Sequence, residues 1–312
     1  MQDVAVAALA ATRDRVPLAL ARVVRLQGFG SRRLGQAALF SASGPAHGGL
    51  LGGAADEAIT SVAATTPACE LVEVRIEDDP AVRAGLACGG SASVIVQDVT
   101  LVPAAWWDAL LRREPAALVT SLGDGHSRVV TAGAPDGGPA GERLRQARTG
   151  TEIVGDELIE VWWPTPRLVV VGAADLAGAL ARQAELLGWE PDLVNGADGS
   201  ERAAAALGPA DGIVVLSHDH DLATPALFAA LRGRAGYVGA LGSRHTQSER
   251  RTRLEGAGLT RAELARLHGP VGLDLGPRSP EEQALAICAE MLMTRSGRDG
   301  GALRDATGPI NR

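Results

Sequence analysis

Between Pro164 and Met293, short apolar runs ending in glycine or polar residues alternate with stretches of helical periodicity. This alternation constrains the fold more than any other feature of the chain. The run 168–171 follows Pro164 and Pro166 and ends at Gly172; Leu176, Leu180 and Ala184 then recur on one helical face, with Gly188 as a stop. Residues 192–194 read as a second strand, 201–207 as an alanine-rich helix and 213–216 as a third, buried strand. A helix over 222–231 and a strand over 237–241 follow, then helices over 245–255, 261–268 and 280–293. Strands that alternate with helices pair in parallel, cross over right-handedly and carry helices on both faces. The expected fold class is therefore α/β: a doubly wound, Rossmann-like parallel-sheet domain over 164–297, preceded by an N-terminal mixed α/β domain over 1–163 and followed by a tail over 298–312. Ligands of such sheets bind beyond the carboxyl ends of the strands. Gly172, Ser217, His218, Asp219, His220, Gly242, Ser243 and Arg244 should gather there.

The N-terminal half has another texture. Residues 19–26 and 37–40 read as strands flanking the Gly/Arg segment 28–35, and 70–76, 93–97, 117–121 and 128–132 as further strands. Gly123-Asp124-Gly125 marks a hairpin turn between the last two. One amphipathic helix is expected over 105–113 and a loop over 135–141, with the seam between the halves at 161–166. A net charge of −7 without blocks of like charge argues against nucleic acid or an anionic membrane as partner. No apolar run reaches the roughly 18 residues of a membrane span. The N-terminal residues lack a basic leader, so a cytoplasmic protein is expected. Every basic side chain but histidine is Arg, which excludes Schiff-base chemistry and a P-loop lysine.

Few residues carry the signature of chemistry. Cys69, Cys88 and Cys288 are too few and too scattered for a disulfide framework or a structural zinc site. Cys88 precedes Gly89 and Gly90. It either brings a soft thiolate and nearby amides to an anionic or metal-bearing ligand, or is a small buried hydrophobe before a tight turn. His218 and His220 would share one side of a continuing strand, as a hydrogen-bonded structural pair, site-lining residues or metal ligands. At 172–178 only the first glycine of a dinucleotide fingerprint is present; Ala174, Asp175 and, after the second strand, Asn195 depart from it. Ser243 is an expected helix N-cap and Arg244 beside it a phosphate clamp. Glu281 and Glu282 read as first-turn acids. Arg32 and Arg33 either meet an anionic ligand or partner surface or are solvated loop charges.

Taken in order, several blocks resemble the XdhC/CoxI family. They are L-S-H-D-H-D-L from Leu216, Y-V-G-A-L-G-S-R from Tyr237, R-T-R-L-E-G-A-G-L from Arg251, H-G-P-V-G-L-D-L-G from His268 and P-E-E from Pro280. In the N-terminal half R-V-V-R-L-Q-G-F-G-S from Arg22, L-G-G from Leu51 and L-A-C-G-G from Leu86 match as well. The resemblance implies an accessory factor, a chaperone with no catalytic residue of its own. Such a factor binds the molybdenum (molybdopterin) cofactor near the domain interface, assists its sulfuration through a sulfurase, and inserts it into a molybdenum hydroxylase apoenzyme of the xanthine dehydrogenase or CO dehydrogenase type. It further implies that Gly52, Gly53, Cys88, Gly89 and Gly90 contact the cofactor, with Cys88 on the metal. Where the family commonly has a cysteine after Gly53, this chain has Ala54, so the contact falls to Cys88 and to backbone donors. The rival expectation is an NAD(P)-dependent oxidoreductase with His218 or His220 as proton donor; a third is a ligand-free interaction module. A homodimer is expected from the prevalence of that state.

Overall fold

The computed structural model describes residues 1–29, 35–65, 68–133, 136–172 and 175–305, in two units, Met1–Trp163 and Pro164–Arg312. The N-terminal unit runs α1 (Gln2–Asp14), β1 (Ala19–Gly28), β2 (Ala37–Ser41), β3 (Gly44–His47), α2 (Asp56–Ala63), β4 (Cys69–Ile76), α3 (Asp78–Arg83) and β5 (Gly90–Asp98). It continues through α4 (Ala104–Leu111), β6 (Ala116–Ser121), β7 (Ser127–Thr131), α5 (Pro139–Arg145), β8 (Gly150–Val154) and β9 (Glu157–Trp162). Two antiparallel sheets result, in the orders β3-β2-β1-β5-β4 and β7-β6-β9-β8.

Strand period two decides what β1 buries on each side. Ala19, Ala21 and Val23 pack against Ile59 and Ala63 of α2 and Ala81 of α3, while Leu20 packs with Val4 and Ala8 of α1 and Trp106 and Trp107 of α4. Arg22, on the Leu20 side, is 2% exposed. It pairs with Glu160 of β9 and donates to Gln97 of β5, which in turn donates to Ser127 Oγ of β7 at 2.8 Å. These bonds lock the two sheets together and leave the charge compensated. The expected loop over 135–141 is shorter, because Pro139 starts α5 as its first residue, where a missing N–H costs nothing.

The C-terminal unit runs β10 (Arg167–Val171), α6 (Asp175–Leu186), β11 (Glu190–Val194), α7 (Ala197–Ala205), β12 (Gly212–Val215), α8 (His220–Arg232) and β13 (Tyr237–Ala240). It ends with α9 (Arg244–Gly256), α10 (Arg261–Leu264), β14 (Leu267–His268) and α11 (Pro280–Ser296). All pairings are parallel, in the order β11-β10-β12-β13-β14. The chain therefore reverses direction across the sheet between β10 and β12, the switch point where doubly wound folds open a crevice. Residues of α7, α8, α9 and α10 cover one face and those of α6 and α11 the other. Among the described residues no helix is long and apolar enough to cross a membrane.

The helix expected over 261–268 stops at Leu264. A capping box between Thr260 and Glu263 closes its start, and Leu267–His268 then pairs with Val238 and Gly239 as an edge strand. Glu290 of α11 anchors that edge. Its Oε2 accepts from Tyr237 Oη at 2.5 Å and from the Gly272 amide at 2.8 Å, and its Oε1 lies 3.2 Å from His268 Nδ1. Burial pushes the Glu290 carboxyl up, but the bonds from His268, Tyr237 and Gly272 outweigh it and hold the group below its ordinary value.

A depressed folded-state value stabilises the fold above the unfolded carboxylate pKa of about 4.3 and ceases to as pH falls through the folded value. Glu290→Gln should thus lower stability by about 1.5–3 kcal/mol at pH 7, the worth of charge-assisted hydrogen bonds. Urea unfolding followed at pH 7, 5 and 4 should show this gap narrowing as the pH approaches and passes below about 4.

Candidate functional site

In the N-terminal unit the candidate residues lie where main chain rests on main chain. Leu51, Gly52 and Gly53 follow one another with positive φ of 53°, 69° and 90°. The turn is held by the Leu50 amide on Asp56 Oδ1 at 3.0 Å and the Leu51 amide on Gln36 Oε1 at 2.9 Å. A Cβ on Gly52 would stand 2.1 Å from the Ala84 carbonyl oxygen, so this turn packs directly on the residue that ends α3, four positions before Cys88. Further on, a Cβ on Gly89 would stand 2.5 Å from the Ile76 carbonyl oxygen, and one on Gly90 2.4 Å from that of Gln27. Only glycine admits such approaches.

Beside this glycine wall opens a cleft of about 410 Å³, lined among others by Gln27, Arg75, Glu77, Asp78, Gly89 and Gly90. Cys88, the residue before the wall, is exposed. The Gly89 amide is not the free anion donor its sequence suggests, because it already donates to Asp78 Oδ1 at 2.8 Å. With Glu77 and Asp78 against one Arg75, the cleft is mixed in charge; Cys88 does not line it but directly precedes Gly89, which does. The other cysteines have a different character. Burial raises the Cys69 thiol, with the nearby Arg22 pulling the other way, and pushes the buried Cys288 up to about 12.

In the C-terminal unit Gly172, Ser217 and Gly242 lie in the loops that follow β10, β12 and β13, at the carboxyl edge of the parallel sheet. Gly172 follows β10 with φ 112°, and a Cβ there would stand 3.2 Å from the Ser217 amide nitrogen, so the loops after β10 and β12 touch at the switch point. Gly242 follows β13 with φ 139°. Ser243 caps α9, its Oγ accepting from the Thr246 amide at 3.2 Å, and Arg244 is the exposed first residue of that helix. Arg244 has no ion pair among the described residues.

The histidines do not sit as strand alternation suggests. The strand ends at Val215; Ser217 Oγ then accepts the Asp219 amide at 3.0 Å, and Asp219 caps α8 through the Asp221 amide at 2.9 Å. His218 lies exposed in that loop, while His220 opens α8 and lines a separate cleft of about 500 Å³ with Thr224, Phe228 and Arg253. The turn chemistry of Ser217 and Asp219 overrides the alternation. Among the described residues no group of three or more His, Cys, Asp or Glu could hold a metal ion. Asn195 is exposed after β11, Asp175 opens α6, and Ser279 with Glu282 forms the capping box of α11. Ala173, Ala174, Arg32 and Arg33 lie outside the described residues.

Two residues of this edge escaped the sequence reading. Gln247 and Arg250, each 3% exposed, lie on the face of α9 that carries buried Leu254. Their signal was polar character at core-facing helical spacing.

Two family models match the chain: one described as "XdhC Rossmann domain" over residues 168–291, the other as "XdhC and CoxI family" over residues 11–70. The chain belongs to the XdhC and CoxI family. Among curated proteins it is 31% identical over 150 residues to "Molybdenum cofactor insertion chaperone PaoD" of Escherichia coli K12, a match covering 48% of this chain and 46% of that protein. It is 27% identical over 192 residues to "Uncharacterized protein YqeB" of the same organism, covering 53% of this chain and 35% of that one. The matches thus span less than half the length of these relatives. Among solved structures, one described as a xanthine dehydrogenase from Bacillus halodurans aligns over 96% of this chain and 98% of its own, at 20% identity and a TM-score of 0.45.

The burial of the three thiols makes this site directly testable. Alkylation of the native protein should modify Cys88 first, Cys69 more slowly and Cys288 only on unfolding, as read by peptide mass spectrometry. Modification of Cys288 ahead of Cys88 would contradict the placement of both.

Proposed function

We propose that this XdhC/CoxI protein is a molybdenum cofactor chaperone: it holds molybdopterin-bound molybdenum as cargo and inserts it into a molybdenum hydroxylase apoenzyme of the xanthine dehydrogenase or CO dehydrogenase type. The observation that carries the reading is the exposed Cys88 thiol at the end of a glycine wall beside an open cleft. A thiolate is a soft ligand suited to a dithiolene-bound metal, and a lone protein ligand suffices when the cargo brings its own donors. The cleft volume lies within the range that accommodates small cofactors. The glycine wall packs main chain on main chain behind the cleft, and Gly52-Gly53 braces the segment that carries Cys88. Ala54 offers the metal nothing, so the sulfur contact rests on Cys88 alone. The family membership and the similarity to a protein named as a molybdenum cofactor insertion chaperone support the same reading.

On this reading the protein's work is to bind, shield and release. A cargo held by one sulfur can be surrendered to an apoenzyme that offers more contacts, and a sulfurase can reach a metal held at an exposed side chain. Within the C-terminal unit taken by itself, Ser243 and Arg244 at the carboxyl edge of the sheet serve a phosphate group, beside the loops that carry Gly172, His218 and Gly242.

Mixing the cofactor-loaded full chain with an apo molybdenum hydroxylase should restore hydroxylase activity faster than free cofactor does. Cys88→Ala should slow that recovery by about tenfold or more, the loss of about 1.4 kcal/mol or more of binding. Cys69→Ala should leave it unchanged. Recovery that is the same with and without the protein, or indifferent to Cys88, would contradict the proposal.

A further inference from the structure

Arg250 is a buried cation without a counter-charge. It is 3% exposed, yet it forms no ion pair with any described carboxylate. Its Nη1 donates to the Leu241 carbonyl at 3.0 Å and to Gln247 Oε1 at 2.9 Å; its Nη2 reaches only the Ser217 carbonyl, at 3.5 Å. Its Nε has no acceptor at all. Burial alone lowers its affinity for the proton, with no neighbouring acid to offset that. A guanidinium stays charged even so, and side chains of this kind are almost never buried unless paired.

The position of this charge is specific. Ser217 belongs to the loop after β12 and Leu241 is the first residue after β13, so the guanidinium lies between two loops of the sheet's carboxyl edge. The thirteen-residue α9 begins at Arg244, three residues beyond Leu241 and two after Gly242, with Ser243 as its cap. The Ser243 side chain takes the Thr246 amide, while the amides of Arg244 and His245, at the first two helical positions, have no acceptor within the helix. Arg244 adds a second, exposed guanidinium. Gln247, donating to the Ala240 carbonyl at 2.9 Å and accepting from Arg250, fixes the buried head group.

We infer that Arg250, with Arg244 and the first amides of α9, forms an anion site for a phosphoryl group, a phosphate ester or pyrophosphate, at the carboxyl edge between β12 and β13. This extends, and rests on, the phosphate role given above to Ser243 and Arg244; it makes Arg250 the group that supplies the charge. A phosphoryl oxygen satisfies several guanidinium donors at once, which the backbone carbonyls of Ser217 and Leu241 do not.

Calorimetric titration of the full chain with inorganic pyrophosphate, and separately with inorganic phosphate, at fixed ionic strength tests this. Saturable binding of one equivalent is expected, weakened about tenfold or more in Arg250→Gln and largely kept in Arg250→Lys. Tighter binding of pyrophosphate than phosphate assigns the site to a diphosphate; the reverse assigns it to a monoester. Because Arg250→Gln removes a buried group that ties two loops, hydrogen exchange on the wild-type protein provides a second readout. Pyrophosphate should slow exchange over residues 241–250. Absence of binding, binding that survives Arg250→Gln, or unchanged exchange in that segment overturns the inference. If pyrophosphate binds as stated but the protein neither holds nor delivers molybdenum cofactor, the chaperone reading falls and this site stands; the converse removes this site alone.

Discussion

Around Cys88 the main chain is packed against itself, and the candidate site exists because four glycines allow it. Gly28, Gly52, Gly89 and Gly90 each bring backbone to within a distance that a single methyl group would occupy. The antiparallel register of β1 with β5, which sets Gly28 opposite Gly90, forces that contact at the end of the sheet. The same contact delivers the chain from α3 to β5 with Cys88 on the outside. Packing and exposure are thus one consequence: the glycines close the interior behind the cysteine, and the thiol has nowhere to go but solvent.

Charge is handled differently in the two units. In the N-terminal unit a buried guanidinium, Arg22, meets Glu160 and Gln97, and the pair fastens two sheets. In the C-terminal unit a guanidinium as deeply buried, Arg250, meets carbonyls and an amide but no acid. A compensated buried charge specifies how elements join, whereas an uncompensated one leaves the edge poised for an anion. The contrast within one chain separates a structural arginine from a ligand-seeking one. Asp78 is a related case in reverse, a carboxylate seated on the Gly89 amide where a ligand anion would otherwise bind.

What the sequence makes legible follows from the range of the forces involved. The runs at β10, β12 and β13 are short, apolar and ended by glycine or polar turn residues, so the parallel sheet and its carboxyl-edge residues can be read directly. The caps at Ser243 and Ser279 are local hydrogen bonds and are equally visible. By contrast β14 is two residues long and carries no periodicity; its existence depends on pairing with β13 and on Glu290 from another helix. The turn that displaces His218 from strand geometry depends on Ser217 Oγ rather than on any hydrophobic pattern. Asp78 reaches Gly89 across eleven positions, and Arg250 serves loops after two different strands. Contacts of that kind are set by topology, which is why the sequence yields the cysteine but neither the carboxylate beside it nor the buried arginine.

The central claim is that Cys88 and its glycine wall hold molybdenum cofactor, and direct binding tests it. The full chain should be purified under reducing conditions after mixing with the cofactor, and the molybdenum and pterin that coelute with it quantified. The account predicts close to one equivalent of each per chain for the wild type, and retention of neither in Cys88→Ala despite an unchanged fold. Equal retention by the wild type and Cys88→Ala, or none by the wild type, would contradict it.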